Sequence, residues 1–175
     1  MSEADSWKGI LDDDETVLWQ GRPDGRVTVK AKNIMGFLFG LFFAGFAVVW
    51  MVLASQAGGF FWMFGLLHFF VGLGVAFGST FWSAWRWRHT WYTLTDRRAF
   101  IATDLPFRGR SLKSYPITKS TVIDYDGGQP ASIMFNHEMR RKKNGHYRVD
   151  VGFERIENGA EVYRMMRDIQ KGQAV

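Results

Sequence analysis

NIMGFLFGLFFAGFAVVWMVLASQAGGFFWMFGLLHFFVGLGVAFGSTFWSAW, residues 33–85, contains no Asp, Glu, Lys or Arg. All 22 Lys and Arg and all 17 Asp and Glu of the 175-residue chain lie outside it. The mean hydropathy of −0.13, which alone reads as soluble, therefore averages two unlike regions. A single helix of this length would run to about 80 Å at 1.5 Å per residue, whereas a bilayer core is ~30 Å thick. The stretch must fold back on itself, and Ser55-Gln56-Ala57-Gly58-Gly59 marks where. Residues 34–54 and 60–82 are then two transmembrane spans with a turn at 55–59, together a hairpin over 34–85. Residues 1–33 precede it, and residues 86–175 are long enough for one small domain with its own core.

The basic flanks set the direction. Arg22, Arg26, Lys30 and Lys32 precede the first span, Arg86, Arg88, Arg97 and Arg98 follow the second, and the connecting turn carries no charge. The positive-inside rule puts both termini in the cytoplasm. Trp82, Trp85, Arg86, Trp87 and Arg88 are the expected interface anchors, with Trp91 extending the aromatic belt. The first 33 residues open with acidic groups and the apolar run exceeds a signal-peptide core, so both spans are expected to remain in the mature protein.

Gly36-x-x-x-Gly40 and Gly74-x-x-x-Gly78 lie at equal depth in a hairpin centred on Ala57, which predicts close backbone approach there. Glycine is also simply frequent in membrane helices, and that reading stands beside the first. His68 is the one titratable side chain within the spans. Intramembrane ionisable groups are candidate sites, but a neutral imidazole bonded to a backbone carbonyl is the expectation, since no second membrane histidine offers an axial partner for haem.

After His89 the periodicity changes to two residues. Strands are expected at 89–95, 98–104, 110–115, 121–126, 131–137 and 147–154, separated by turns at Asp96-Arg97, Phe107-Arg108-Gly109, Gly127-Gly128-Gln129-Pro130 and Asn144-Gly145. Asn158 and Glu161 form a capping-box-like start to a helix over 159–171, with Val162, Met166 and Ile169 on its apolar stripe and Gly172 at its end. The fold class is α+β: a two-helix transmembrane hairpin followed by a bent antiparallel sheet domain with a C-terminal helix.

Glu15-Thr16-Val17-Leu18-Trp19-Gln20-Gly21-Arg22-Pro23, Tyr92-Thr93-Leu94-Thr95-Asp96-Arg97-Arg98, Tyr115-Pro116-Ile117 and the segment Phe153 to Ile169 carry a resemblance covering nearly the whole chain. The chain resembles the bacterial pleckstrin-homology-like, membrane-flanked domain proteins. The resemblance implies a seven-stranded, strongly bent sheet closed by a C-terminal helix, used for binding rather than chemistry, in a multi-pass protein of the bacterial inner membrane. Only six strands follow the spans, so residues 16–20, with alternating Val17 and Trp19, are the expected seventh. The run Arg140-Arg141-Lys142-Lys143 departs from the family's typical hairpin in its charge.

Charge narrows the partners. Residues from Arg86 onward carry 17 basic and 10 acidic side chains, residues 1–32 carry 5 and 7. Anionic lipid head groups are the nearest match, each basic residue near a charged surface contributing ~1 kcal/mol. Arg140, Arg141, Lys142, Lys143 and Arg148 are the candidate binding residues, and a solvated hairpin tip is the plainer alternative. No base-reading module points to nucleic acid. Without Cys there is no thiolate nucleophile, zinc–thiolate site or iron–sulfur cluster, and no phosphate loop, dinucleotide fingerprint, nucleophile elbow or H-E-x-x-H occurs. No catalytic residue, metal or cofactor is expected: His137 with His146 is too small a ligand set, and Asp12-Asp13-Asp14-Glu15 reads as a solvated acidic run. Three function classes remain: a membrane-anchored binding module whose sheet domain engages anionic lipid head groups or an acidic protein surface, an accessory subunit docking through its spans onto a larger membrane complex or a second copy, and, with the smallest share, an enzyme or transporter.

Overall fold

A computed structural model describes residues 7, 9–27, 33–106, 109–142 and 145–172. The chain divides into two compact units, Gly25–Arg86 and the remainder, Met1–Asp24 with Trp87–Val175.

The first unit is a pair of antiparallel helices, α1 (Ile34–Gln56) and α2 (Phe64–Arg88), joined through a short 3₁₀ turn at Phe61–Met63. By length and composition both are apolar enough to cross a membrane. Aromatic contacts tie residues of equal depth: Phe37 to Phe77 at 5.4 Å and Trp50 to Phe61 at 5.2 Å between ring centroids. The closest approach is a stripe of small residues. A Cβ added to Gly40 would lie 2.5 Å from the Gly72 carbonyl oxygen, and one on Gly72 would lie 2.7 Å from the Ala44 nitrogen.

That corrects the expected glycine pairing. Gly40 packs closely, but Gly36, Gly74 and Gly78 have nothing within 4 Å of where a Cβ would stand. Equal depth does not mean facing. Residues two apart on a helix lie about 200° round from one another, so Gly72 and Ala76 meet Gly40 while Gly74 between them points away.

In the second unit seven strands form two antiparallel sheets. β1 (Val17–Gly21), β2 (Thr90–Thr95), β3 (Arg98–Leu105) and β4 (Gly109–Pro116) lie in that order, and β5 (Asp124–Tyr125), β6 (Ala131–Lys142) and β7 (Gly145–Ile156) form the other. The register follows the alternation: Tyr92 and Leu94 on β2, Ala99 and Ile101 on β3 and Tyr115 on β4 face a core shared with Ile133, Phe135 and Phe153. β5 is only two residues long, against the six expected over 121–126. Thr118–Thr121 instead make a hydroxyl-rich turn in which Thr118 N–H donates to Thr121 Oγ1 at 2.9 Å, a local bond that competes with sheet pairing.

β1 comes from ahead of the apolar hairpin and pairs with β2. A bulge between Val17 and Trp19 lets both Leu18 and Trp19 pack against the core, where strict alternation would send only one. The Trp19 ring lies 5.4 Å from that of Phe153. Gly152 is required at its place on β7, since a Cβ there would stand 2.6 Å from Met134 Cα on β6.

α3 (Gly159–Lys171) covers the core with Val162, Met166 and Ile169. Its cap differs from expectation: Asn158 makes no side-chain bond to the first-turn backbone, and its amide donates to the Glu161 carboxylate at 3.4 Å. Glu161 in the first turn and Lys171 in the last suit the helix dipole, and Gly172, at φ 69°, ends the helix. Buried Gln170 donates to the Thr121 carbonyl at 2.6 Å, so α3 holds the turn that precedes β5.

Candidate functional site

β6 and β7 are each twelve residues long, longer than the core they cover. Every described residue from Met139 round to Arg148 is exposed. The four residues Met139–Lys142 continue about 13 Å at ~3.3 Å per residue, so the hairpin ends in an arm. Arg140, Arg141 and Lys142 lie on this arm, paired with Tyr147, His146 and Gly145. Lys143 and Asn144, the remaining members of the expected basic turn, lie outside the described residues.

The pleat divides the basic run. Arg140 and Lys142 share one face with Tyr147, and Arg141 shares the other with Arg148 and His146. Carboxylates then decide which cations are available. Glu138 receives Lys113 at 2.5 Å and the Tyr115 hydroxyl at 2.7 Å, with Arg140 at 3.6 Å. Lys113 and Tyr115 together hold the Glu138 carboxyl below its usual range. Burial, reinforced by the bond to Glu138, pushes the Tyr115 hydroxyl up. Arg148 pairs with Asp150 at 3.1 Å. Among the described residues Arg141 and Lys142 have no carboxylate within ion-pair range, so they carry the arm's displayed charge. His137 lies opposite Asp150, and no three metal-ligating side chains cluster among the described residues.

Another charged cluster was not legible as such. Of the acidic run before β1, Asp12, Asp13 and Asp14 are exposed as expected, but Glu15 is not solvated: its side chain is fully buried and accepts Arg98 Nε at 2.9 Å, with the Arg98 guanidinium also reaching its second oxygen. The Thr95 hydroxyl donates to Glu15 Oε1 at 2.6 Å and accepts from the Arg98 N–H at 3.0 Å. The Arg98 guanidinium, helped by Thr95 and the Asp12 amide, holds the Glu15 carboxyl down at about 2 despite its burial. Arg97 pairs with Asp14 at 2.5 Å, and Asp12 approaches both arginines. The clamp ties β1 to the β2–β3 turn across more than 80 residues of sequence. Its one sequence signal was an acidic quartet and an Arg-Arg pair in separate motifs of one resemblance.

The second missed feature is a clasp at residues 24, 87 and 155. Arg155 sits at φ 56°, in the left-handed region that a non-glycine residue enters at a cost. Its guanidinium pairs with Asp24 at 3.0 Å and lies 4.9 Å over the Trp87 ring. The Trp87 indole N–H donates to Glu154 at 3.1 Å. Asp24 and Trp87 are the bounds of the two segments that make up the sheet unit, and Glu154 and Arg155 join them within it.

Trp87 is thus corrected. It is 2% exposed and belongs to the sheet domain, because α2 runs to Arg88 and rotates that position inward. Trp91 likewise lies on β2 beneath Arg22, at 4.9 Å. Trp82 is half exposed, its ring tilted against that of Trp85 at 5.1 Å, while Arg86 and Arg88 are exposed. His68 Nδ1 lies 3.1 Å from the Phe64 carbonyl, which can only accept, so Nδ1 carries the proton. Phe64 and Phe43 flank the ring at 4.9 and 6.0 Å.

No family model, curated protein or solved structure matches this chain.

Proposed function

We propose that the chain is a membrane-anchored, non-enzymatic binding module of a bacterial inner membrane. On this reading a pleckstrin-homology-like domain faces the cytoplasm and its β6–β7 arm engages anionic lipid head groups. The observation that carries the binding function is the arm itself: a two-stranded extension beyond the core that leaves Arg141 and Lys142 without a carboxylate partner among the described residues. Seven strands divided four and three, with a closing helix, support the pleckstrin-homology-like reading.

Anchoring is supported by what the two apolar helices leave uncovered. Only 17% of the most apolar window of either is buried. Phe42 is 75% exposed on α1 and Phe70 is 64% exposed on α2, along with most of the other large apolar side chains of both helices. A core helix of a soluble domain buries such residues, and water would make exposing them costly at ~25 cal/mol per Å². Lipid removes that cost.

The anchor is tested on the whole chain in cells. It should stay with the membrane pellet through alkaline carbonate extraction, and Gln56→Cys should react with an impermeant thiol reagent from outside while cysteines placed at Ser2 or Val175 do not. Release by carbonate, or labelled termini, contradicts the reading. Mild detergent extraction separates the alternative: a binding module leaves alone, an accessory subunit comigrates with a stoichiometric larger assembly.

A further inference from the structure

The outer face of the four-stranded sheet, which carries Gln20, Thr93, Asp104, Arg110 and Ser114, is interrupted by an apolar row. Trp91 on β2 is in register with Ala102 on β3, and Ala102 with Leu112 on β4, giving an apolar row across three strands. Phe100 lies in the next row, and the Trp7 ring meets it edge-on at 5.3 Å. Trp7 and Ile10, in a turn where the Ile10 N–H donates to the Trp7 carbonyl at 3.0 Å, line one side of an open groove of about 740 Å³. This face is opposite the core that Tyr92, Leu94 and Ile101 fill, so the sheet carries large apolar side chains on both sides.

We propose that this groove binds a free single-chain amphiphile with an anionic head, of the long-chain fatty-acid type. Three observations commit it to that occupant. The volume lies within the range of small-molecule sites. The lining runs from Gly21 on β1 to Leu112 on β4, three inter-strand steps that together span about 14 Å, an elongated shape that suits a hydrocarbon chain. Charge supplies the third. Arg22 lies in the groove over the Trp91 ring, with no carboxylate in ion-pair range among the described residues. Arg110 at the β4 side is already matched by Asp104 at 3.2 Å. One cation beside an apolar slot fits a carboxylate head over Arg22 and a chain along Trp91, Ala102 and Leu112. The site is separate from the β6–β7 arm and does not depend on the function assigned to it.

The test uses the whole chain in nanodiscs of neutral phosphatidylcholine and a palmitic acid carrying a mid-chain diazirine, with cross-linked peptides mapped after irradiation. The β3–β4 peptides should be labelled, excess unlabelled palmitate should compete, and a diazirine phosphatidylcholine in the same discs should label only α1 and α2. Ala102→Trp, which fills the row, should remove most labelling. Leu112→Asp, at an exposed edge-strand position that the fold tolerates, should do the same if Ala102→Trp fails to fold. Arg22→Gln should weaken labelling by the acid roughly tenfold, as loss of a charge-assisted bond predicts, and leave a fatty-alcohol probe unaffected. Charge-neutral variants of the arm should label like the parent. Labelling no greater than that from the phosphatidylcholine probe, or unchanged in Leu112→Asp, overturns the proposal. Equal labelling by acid and alcohol overturns the anionic head.

Discussion

Arg97-Arg98 and Arg140-Arg141 look alike in the sequence: two adjacent arginines at or near a β-turn, within a segment of net positive charge. In the folded chain they are opposites. Arg97 and Arg98 are spent on Asp12, Asp14 and Glu15, and the result is an ion cluster that fixes β1. Arg140 is partly answered by Glu138, and Arg141 meets no carboxylate among the described residues. Net charge per segment counts both pairs equally. The charge a partner feels does not, because an acid 80 residues away in sequence can be 3 Å away in space, and a cation bonded to its own counter-ion has less field left to offer.

The comparison breaks if the two pairs respond alike to substitution. The largest effect is expected at Arg98→Ala, which strands the buried Glu15 carboxylate and should cost about 3 kcal/mol or more, with new protease sensitivity ahead of β1. Thermal unfolding of the whole chain measures it. Arg98→Lys should recover only part, since an ammonium cannot reproduce the two-oxygen contact.

Acid acts on the same cluster. The folded pKa of Glu15, about 2, lies below its ordinary 4.5, so its stabilisation is complete above 4.5 and is lost as pH falls toward 2. Amide exchange in β1 should therefore accelerate across that window, ahead of exchange in the β3–β4 pair. Protection of β1 unchanged down to pH 2 would show that the clamp does not hold the strand.

A smaller effect sharpens the other side. Glu138→Gln frees Lys113 and Arg140 from their carboxylate and should strengthen binding of the whole chain to anionic vesicles, at a modest loss of stability from the Tyr115 hydroxyl bond. Smallest in stability is Arg141→Gln with Lys142→Gln, exposed positions expected to shift unfolding by no more than about 0.5 kcal/mol.

The elements legible in the sequence were those with a local signal. An uncharged stretch with a glycine-rich interruption gives two long helices, and alternation with turn residues gives β2 to β4, β6 and β7. Gly172 at the end of α3 is read from its own chemistry. What escaped depends on partners distant in sequence. Nothing local distinguishes Gly72 from Gly74, and only the facing helix selects one. Trp87 reads as an interface tryptophan until Glu154 and Arg155 are known to receive it. Arg155 gives no sign of its left-handed backbone, because glycine is the residue that advertises that conformation. The candidate arm was legible as a basic run, but its division between two faces and its partial neutralisation by Glu138 and Asp150 required the register of β6 on β7. A fragment beginning at Arg88 would also lack β1 and Glu15, so the arm is properly tested on the whole chain.

The most direct measurement compares the two arginine pairs in one assay. The whole chain, held in neutral phosphatidylcholine nanodiscs, is mixed with separate vesicles containing phosphatidylserine, and cosedimentation is followed as salt is raised from about 0.05 to 0.5 M, shortening the screening length severalfold. The account predicts salt-sensitive binding that is lost when Arg140, Arg141, Lys142 and Lys143 are all changed to Gln, retained in Arg97→Gln, and absent with neutral vesicles. Binding that survives the arm substitution, or falls equally in Arg97→Gln, would contradict it.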